Sequence, residues 1–243
     1  MRLFGLVGKS LSHSFSKDYF TRKFTEENIT DCIYENFELQ RVEQVPALIA
    51  THSNLQGLNV TIPYKEAVIQ FIDFIDETAE EIGACNCVKI INERLYGFNT
   101  DVIGFKMSLQ KKLQPHHTKA LVLGTGGSSK AVQCALGQLS ISHCVVSRHP
   151  KLQQIGYQEV GDQILDEYNI IINTTPLGMY PNVDDDPPIP YDYLTPKHLV
   201  YDLIYNPSLT KFLNQAQKRG AQISNGYEML VLQAEESWRI WNS

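Results

Sequence analysis

The sequence contains no apolar run approaching the roughly 18 residues that a membrane-crossing helix needs, so no membrane span is expected. It also has no long run of Lys or Arg, and with a formal net charge of −6 it does not offer the basic stripe that nucleic acids require. Cysteine is sparse and poorly spaced for metal. The five residues Cys32, Cys85, Cys87, Cys134 and Cys144 are odd in number, and the C-x-C at 85–87 has no His or second Cys pair nearby. Reduced structural thiols are therefore expected, and no metal site. The opening Met1-Arg-Leu-Phe-Gly-Leu-Val-Gly8 is too short an apolar run for a signal peptide, which makes a cytoplasmic protein the expectation. Disorder is not expected either, because 43% of the residues are hydrophobic and only 20% charged, enough to build a core in a chain of 243 residues.

What the chain does have is short apolar strands alternating with helical patterns. Strands are expected at Leu3–Val7, Ile33–Phe37 and Leu58–Val60, and helices through Tyr19–Phe24 and Val45–Ala50, a βαβαβ rhythm. The loops after the strands are polar. Gly8-Lys-Ser-Leu-Ser-His-Ser-Phe-Ser16 is rich in hydroxyls and is either an anion-binding loop or a plain helix cap supplied by Ser14 or Ser16. In Asn59-Val-Thr-Ile-Pro-Tyr-Lys65, Thr61 closes a strand and Lys65 is expected in the first turn of a helix, as a candidate acid/base or as a solvated lysine. Asn86 follows a small-residue turn. Asp101 ends Tyr96-Gly-Phe-Asn-Thr-Asp101, where it is expected to cap the next helix.

The second half opens with Ala120-Leu-Val-Leu-Gly-Thr-Gly-Gly-Ser-Ser-Lys-Ala131, a buried strand running through a glycine turn into a helix. Gly124, Thr125, Gly126, Gly127 and Ser128 form either an ordinary turn or a phosphate cradle, in which free N–H groups and the helix dipole hold a pyrophosphate. The next strand, Cys144-Val-Val146, ends in Ser147-Arg148 where an NAD-binding fold would place an acid. A hydroxyl and a guanidinium suit a 2′-phosphate, so NADP is favoured over NAD. Two further buried strands lead into Asn173-Thr-Thr-Pro and Asp202-Leu-Ile-Tyr-Asn-Pro207, and a last helix from Tyr227 to Trp241 carries Gln233, an amide on an apolar face that needs a partner.

Taken in order, Ser12-His-Ser-Phe-Ser16, Asn59-Val-Thr-Ile-Pro-Tyr-Lys65, Gly83-Ala-Cys-Asn86, Gly97-Phe-Asn-Thr-Asp101, the glycine turn, Asn173-Thr-Thr-Pro-x-Gly-Met179, Tyr205-Asn-Pro207 and Gly226-Tyr-Glu-Met-Leu-Val-Leu-Gln233 resemble the shikimate dehydrogenase family over nearly the whole chain. The resemblance implies an α/β fold: an N-terminal substrate domain with a mostly parallel sheet (1–104 plus 226–243) and a Rossmann-type NADP-binding domain (105–225), the C-terminal helix returning to the substrate domain. It implies reversible reduction of 3-dehydroshikimate to shikimate by NADPH, with Lys65 and Asp101 as the catalytic pair. Ser14 and Ser16 would bind the substrate carboxylate, and Thr61, Asn86, Asp101, Tyr205 and Gln233 would make further substrate contacts. The glycine turn, Ser147, Arg148, Thr174, Leu203 and Gly226, with Glu77 a weaker candidate, would hold NADP.

The partners implied are a small-molecule substrate and a monomer or homodimer, without nucleic acid or membrane. A quinate/shikimate or aminoshikimate-type dehydrogenase, or a sensor of NADP or shikimate without turnover, remain as alternatives; the Lys65 and Asp101 pair speaks against the sensor. Some positions depart from the family pattern: Ser10 and Lys17 stand where prolines are usual, Cys87 where threonine usually follows Asn86, and His149 where threonine often follows the arginine.

Overall fold

A computed structural model of the chain describes residues 1–11 and 14–243; Ser12 and His13 of the hydroxyl-rich loop lie outside the described residues. The chain divides into two units, Met1–Thr100 with Gln233–Ser243, and Asp101–Leu232. Both crossings fall inside helices rather than in loops, so no linker signal marks them in the sequence.

The strands of the first unit are β1 (Arg2–Gly8), β2 (Cys32–Glu38), β3 (Leu55–Val60), β4 (Phe74–Ile75), β5 (Cys87–Ile91) and β6 (Arg94–Phe98). Helices α1 (Phe15–Glu26), α2 (Val45–Thr51) and α3 (Glu77–Ile82) connect them, and α4 (Thr100–Gln110) leaves the unit. The sheet runs in the order β2-β1-β3-β5-β6-β4. β1, β2 and β3 are parallel, as the βαβ rhythm demands, while β5 is antiparallel to both β3 and β6. Asn92 and Glu93, at φ 49° and 65°, supply the two positive-φ residues of the tight β5–β6 turn.

The second unit contains β7 (Lys119–Leu123), α5 (Gly127–Gln138), β8 (Ser142–Ser147), β9 (Gln154–Gly156), α6 (Asp162–Glu167), β10 (Ile170–Asn173), β11 (Leu199–Asp202), α7 (Lys211–Lys218) and β12 (Gln222–Ser224). Its six strands are all parallel in the order β12-β11-β10-β7-β8-β9. Numbered within the unit this is 6-5-4-1-2-3, the doubly wound order of dinucleotide-binding sheets. β10 and β11 are buried at every residue, which explains why polar residues are kept to their carboxyl ends, Asn173 and Asp202: a parallel sheet covered on both faces has no solvent side for them. Leu121, Leu123, Ile171, Val200, Phe212 and Leu213 form the centre of this core.

The last helix, α8 (Tyr227–Asn242), begins in the second unit and ends in the first. Its C-terminal half is anchored by aromatic rings. Phe4 stacks on Trp241 with centroids 4.9 Å apart and meets Trp238 edge-on at 5.4 Å, and Phe20 lies against both. The Trp241 indole N–H donates to the Val88 carbonyl at 3.0 Å, so the ring's polar atom is satisfied where the ring is buried. A Cβ at Gly57 would collide with that indole, which is why β3 has glycine there. On the adjoining face Lys23 pairs with Glu27 and Glu235 at 2.7 and 2.9 Å, and Tyr19 donates to Glu235.

Candidate active site

In the first unit the topology brings the polar loops to one edge. Because β1 and β3 are parallel, the loops that follow them emerge together, and Thr61 N–H donates to the Val7 carbonyl at 2.9 Å. β5 is antiparallel to β3, so its beginning lies beside the end of β3: Val60 N–H donates to the Asn86 carbonyl at 2.9 Å. β6 reverses again, and Asn86 N–H donates to the Phe98 carbonyl at 3.0 Å. Four loops separated in sequence thus deliver Ser14 and Ser16, Thr61 and Lys65, Asn86, and Thr100 to the same edge. Carboxyl edges of such sheets are where ligands bind.

Ser14 proves to be the cap of α1, its hydroxyl accepting Lys17 N–H at 3.3 Å, while Ser16 lies inside the first turn and is buried. Lys65 is half-buried and does not sit in a helix, contrary to the sequence expectation. Tyr64 N–H donates to the Thr61 carbonyl at 2.9 Å, closing a turn around a cis Ile62–Pro63 bond, and Lys65 follows it ahead of a short 3-10 helix, Ala67–Phe71. Its carbonyl is taken by Cys85 N–H at 2.7 Å, a long-range bond that displaces the helical one. Asp101 is not the cap of α4 either. It is the second residue of that helix, in the first turn, where the helix dipole favours a carboxylate.

The buried amides at this edge form one network. Asn86 Oδ1 accepts Thr100 N–H at 2.7 Å and Asn86 Nδ2 donates to Thr100 Oγ1 at 3.1 Å. Thr100 Oγ1 lies 3.3 Å from Gln233 Oε1, which supplies the partner that the amide on an apolar helix face needs. Asn59 Nδ2 donates to Ser237 Oγ at 2.9 Å, and Tyr34 Oη donates to Asn59 Oδ1 at 2.9 Å, burial holding that phenol well above its ordinary pKa. Sequence reading missed Tyr34, Thr100 and Ser237. Only Ser237 left a signal, standing four residues after Gln233 on the same helical face. Glu77 opens α3 in this unit. A cavity of about 710 Å³ lined by His52, Leu55, Gln56, Phe71 and Leu95 gathers at the amino end of β3 and contains none of the expected site residues.

In the second unit every expected cofactor residue follows the carboxyl end of a parallel strand. The glycine turn follows β7, Ser147 and Arg148 end β8 and its loop, Thr174 follows β10, Leu203 follows β11, and Gly226 follows β12; Tyr205, expected as a substrate contact, lies in the loop after β11. Gly124 adopts φ 110°, and a Cβ there would press within 2.8 Å of Thr174 Oγ1, so turn and loop are fitted to each other. Thr174 in turn donates from its hydroxyl to the Leu123 carbonyl at 2.7 Å. Gly126 caps α5, and a Cβ on it or on Gly127 would meet nothing within 4 Å. Ser147 is buried and accepts His149 N–H at 3.1 Å, while Arg148 is exposed. Gly226 and Leu203 are brought together, for a Cβ on Gly226 would collide with the Leu203 carbonyl oxygen.

Asp202, at the end of β11 and fully buried, was also missed. It accepts from Thr210 Oγ1 at 2.6 Å, Asn173 Nδ2 at 3.0 Å and Ile204 N–H at 3.1 Å, and burial pushes its carboxyl up to about 6. Asn173 Oδ1 accepts the Thr175 hydroxyl at 2.6 Å, so the pair shapes the loop that carries Thr174. The signal was an acid closing an otherwise apolar strand.

A six-stranded parallel sheet in doubly wound order, with a glycine turn at the β7/β10 switch point and a hydroxyl and guanidinium after the second strand, defines a dinucleotide-binding α/β protein. The family model described as "Shikimate dehydrogenase substrate binding domain" matches residues 6–88, and the shikimate dehydrogenase (NADP(+)) of Clostridium botulinum is 36% identical across 98% of this chain and 95% of its own. The chain belongs to the shikimate dehydrogenase family. The crystal structure of shikimate dehydrogenase 1 from Peptoclostridium difficile superposes with a TM-score of 0.84 at 37% identity, covering 100% of this chain and 92% of that one. The Thermus thermophilus shikimate 5-dehydrogenase, solved in complex with NADP(H) and shikimate, gives a TM-score of 0.88 at 29% identity over 99% of this chain and 93% of its own.

Proposed function

We propose that this chain is an NADP-dependent shikimate dehydrogenase that reduces 3-dehydroshikimate to shikimate and runs in reverse. The observation that carries the reading is likeness over 98% of the chain to proteins of that name, one of the solved structures holding NADP(H) and shikimate, in a chain that keeps a lysine in the turn after β3 and an aspartate in the first turn of α4. The second unit fits the cofactor. Gly126 and Gly127 leave open space at the start of α5, where backbone N–H groups meet a pyrophosphate, and Ser147 with Arg148 offers a hydroxyl and a cation to a 2′-phosphate. When bound, the nicotinamide gives or takes the hydride.

In this reading residues 1–104 and 226–243 serve the substrate and 105–225 the cofactor. Lys65 as an ammonium stabilises the oxygen that becomes an alkoxide and gives it a proton; Asp101 orients that ammonium and supports its charge. Proton transfer of this kind contributes roughly 10²- to 10⁴-fold. Ser14 and Ser16 take the carboxylate, and Thr61, Asn86, Asp101, Tyr205 and Gln233 hold the rest of the ring. The glycine turn from Gly124 to Ser128, Ser147, Arg148, Thr174, Leu203 and Gly226 hold NADP, with Glu77 a lesser contributor. We place the protein in the cytoplasm as a monomer or homodimer; its five cysteines are free thiols, as a reducing compartment keeps them.

The test is steady-state oxidation of shikimate and of quinate, each with NADP⁺ and with NAD⁺. Shikimate with NADP⁺ is the expected best pair. Preference for quinate or NAD⁺ would move the protein to the quinate/shikimate type, and no oxidation of either acid would overturn the enzyme reading.

A further inference from the structure

Ala84, Cys85 and Asn86 form a short strap at the polar edge of the first unit, each of them buried. Its backbone is tied on several sides. Ala84 N–H donates to the Ala79 carbonyl at 3.2 Å, Cys85 N–H to the Lys65 carbonyl at 2.7 Å and Asn86 N–H to the Phe98 carbonyl at 3.0 Å, while the Asn86 carbonyl accepts Val60 N–H at 2.9 Å. These bonds join backbone to backbone and do not depend on which side chains are present. The Ala84 carbonyl differs, because its donor is a side chain, Asn99 Nδ2 at 2.9 Å.

The Ala84 carbonyl and the Cys85 N–H are the two ends of one peptide group. A peptide is planar, so holding its oxygen also sets the direction of its N–H. Asn99 therefore grips the peptide whose other end grips Lys65. The amide has one orientation here, because a backbone carbonyl only accepts and the end facing it must be the nitrogen. Asn99 Oδ1 is then a buried acceptor without a hydrogen-bond partner among the described residues, on a side chain 6% exposed. An unpaired buried acceptor costs stability, so packing alone does not account for an amide at this position.

We propose that Asn99 is a positioning residue for Lys65: its amide clamps the Ala84–Cys85 peptide, and that peptide sets where the Lys65 backbone, and with it the root of the ammonium-bearing stem, stands. The inference rests on the shikimate dehydrogenase reading, with Lys65 as the proton donor, and adds a residue that acts on Lys65 through one peptide group. Asn86 keeps its own bonds to Val60, Phe98 and the Thr100 N–H, so the substrate contact expected of it does not depend on Asn99.

Asn99→Leu keeps a side chain of similar size and removes the amide. In the full-length protein, kcat for shikimate oxidation by NADP⁺ is expected to fall about 10- to 100-fold, the scale of misplacing a reacting group by about 1 Å. KM for shikimate and for NADP⁺ is expected to stay within about threefold, a loss in turnover without a loss in binding. The same substitution in a Lys65→Met background is expected to lower the residual kcat by less than about twofold, because no ammonium is left to position. A purely structural residue lowers both backgrounds alike, so equal losses overturn the inference, as does an Asn99→Leu variant with wild-type kcat. Should Asn99→Leu fail to fold, Asn99→Asp at pH 9 decides by the same pair of backgrounds, since an ionised carboxylate has no N–H for the Ala84 carbonyl. A wild type that does not oxidise shikimate, or a Lys65→Met variant with wild-type turnover, overturns the functional reading and this inference with it, while a working wild type and an impaired Lys65→Met isolate the inference.

Discussion

Asp202→Asn should make the protein more stable at neutral pH, although it removes the acceptor of three hydrogen bonds. The wild-type carboxyl is fully buried, with no cation among its hydrogen-bond partners, and burial raises it from its ordinary 3.8 to about 6. Holding it ionised above pH 6 therefore costs about 3 kcal/mol relative to the unfolded chain. The amide keeps the shape and one oxygen for Asn173 Nδ2 and Ile204 N–H. Its nitrogen faces Thr210, whose hydroxyl now donates to Asp202 and would have to turn round, forfeiting about 1 kcal/mol. The net gain is about 2 kcal/mol at pH 8, or about 4–8 °C in Tm for a chain of this size.

The pH dependence carries the sign. A group whose pKa is raised on folding contributes stability that is fully present below its unfolded value and lost as the pH rises through its folded value, here between about 4 and 6. The amide has no such slope, so the gain should vanish near pH 4.5. Thermal unfolding of the ligand-free variant and wild type at pH 4.5 and pH 8 reads both. A variant less stable than wild type at pH 8, or a difference independent of pH, would refute the reasoning and show that the hydrogen bonds outweigh the burial.

Arg148→Ala should raise KM for NADP⁺ by about 10- to 100-fold while leaving NAD⁺ nearly unaffected, the scale of a charge-assisted hydrogen bond to phosphate; equal effects on both cofactors would leave Arg148 a surface residue. Trp241→Ala should cost about 3–5 kcal/mol in denaturant unfolding, since it empties the site between Phe4, Phe20 and Gly57 and leaves the Val88 carbonyl without its donor. A loss under about 1 kcal/mol would mean that α8 is not anchored there. Gly226→Ala should weaken NADP⁺ binding and lower stability by about 1–3 kcal/mol, because the new methyl meets the Leu203 carbonyl, and an unaltered variant would show that the loop yields freely.

Strand-end polar groups were legible in the sequence because a parallel sheet fixes its own pattern: buried apolar runs, then the loop residues at the carboxyl edge. The glycine turn, Ser147 and Thr174 could be placed that way, but the close approach of Gly226 to the Leu203 carbonyl is a tertiary contact that no motif reported. Strand order was not legible, since nothing within β7 or β10 says that they are neighbours. Lys65 was given the wrong local structure because the bond from Cys85 N–H to its carbonyl is a tertiary contact that local patterning does not report. Thr100 was hidden for the same reason, and Ser237, though its helical spacing from Gln233 was visible, meets Asn59 across 178 positions. A serine or threonine next to a conspicuous acid or amide reads as filler until its hydroxyl is counted among the buried donors.

The central claim is that Lys65 does chemistry, and Lys65→Met tests it most directly by keeping an unbranched stem and removing the ammonium. Shikimate oxidation by NADP⁺, followed by NADPH absorbance, should show wild-type turnover and a kcat lower by at least about 100-fold in the variant, with the affinities for shikimate and NADP⁺ changed far less. Turnover near wild type in Lys65→Met would contradict the account and return Lys65 to the status of a solvated loop lysine.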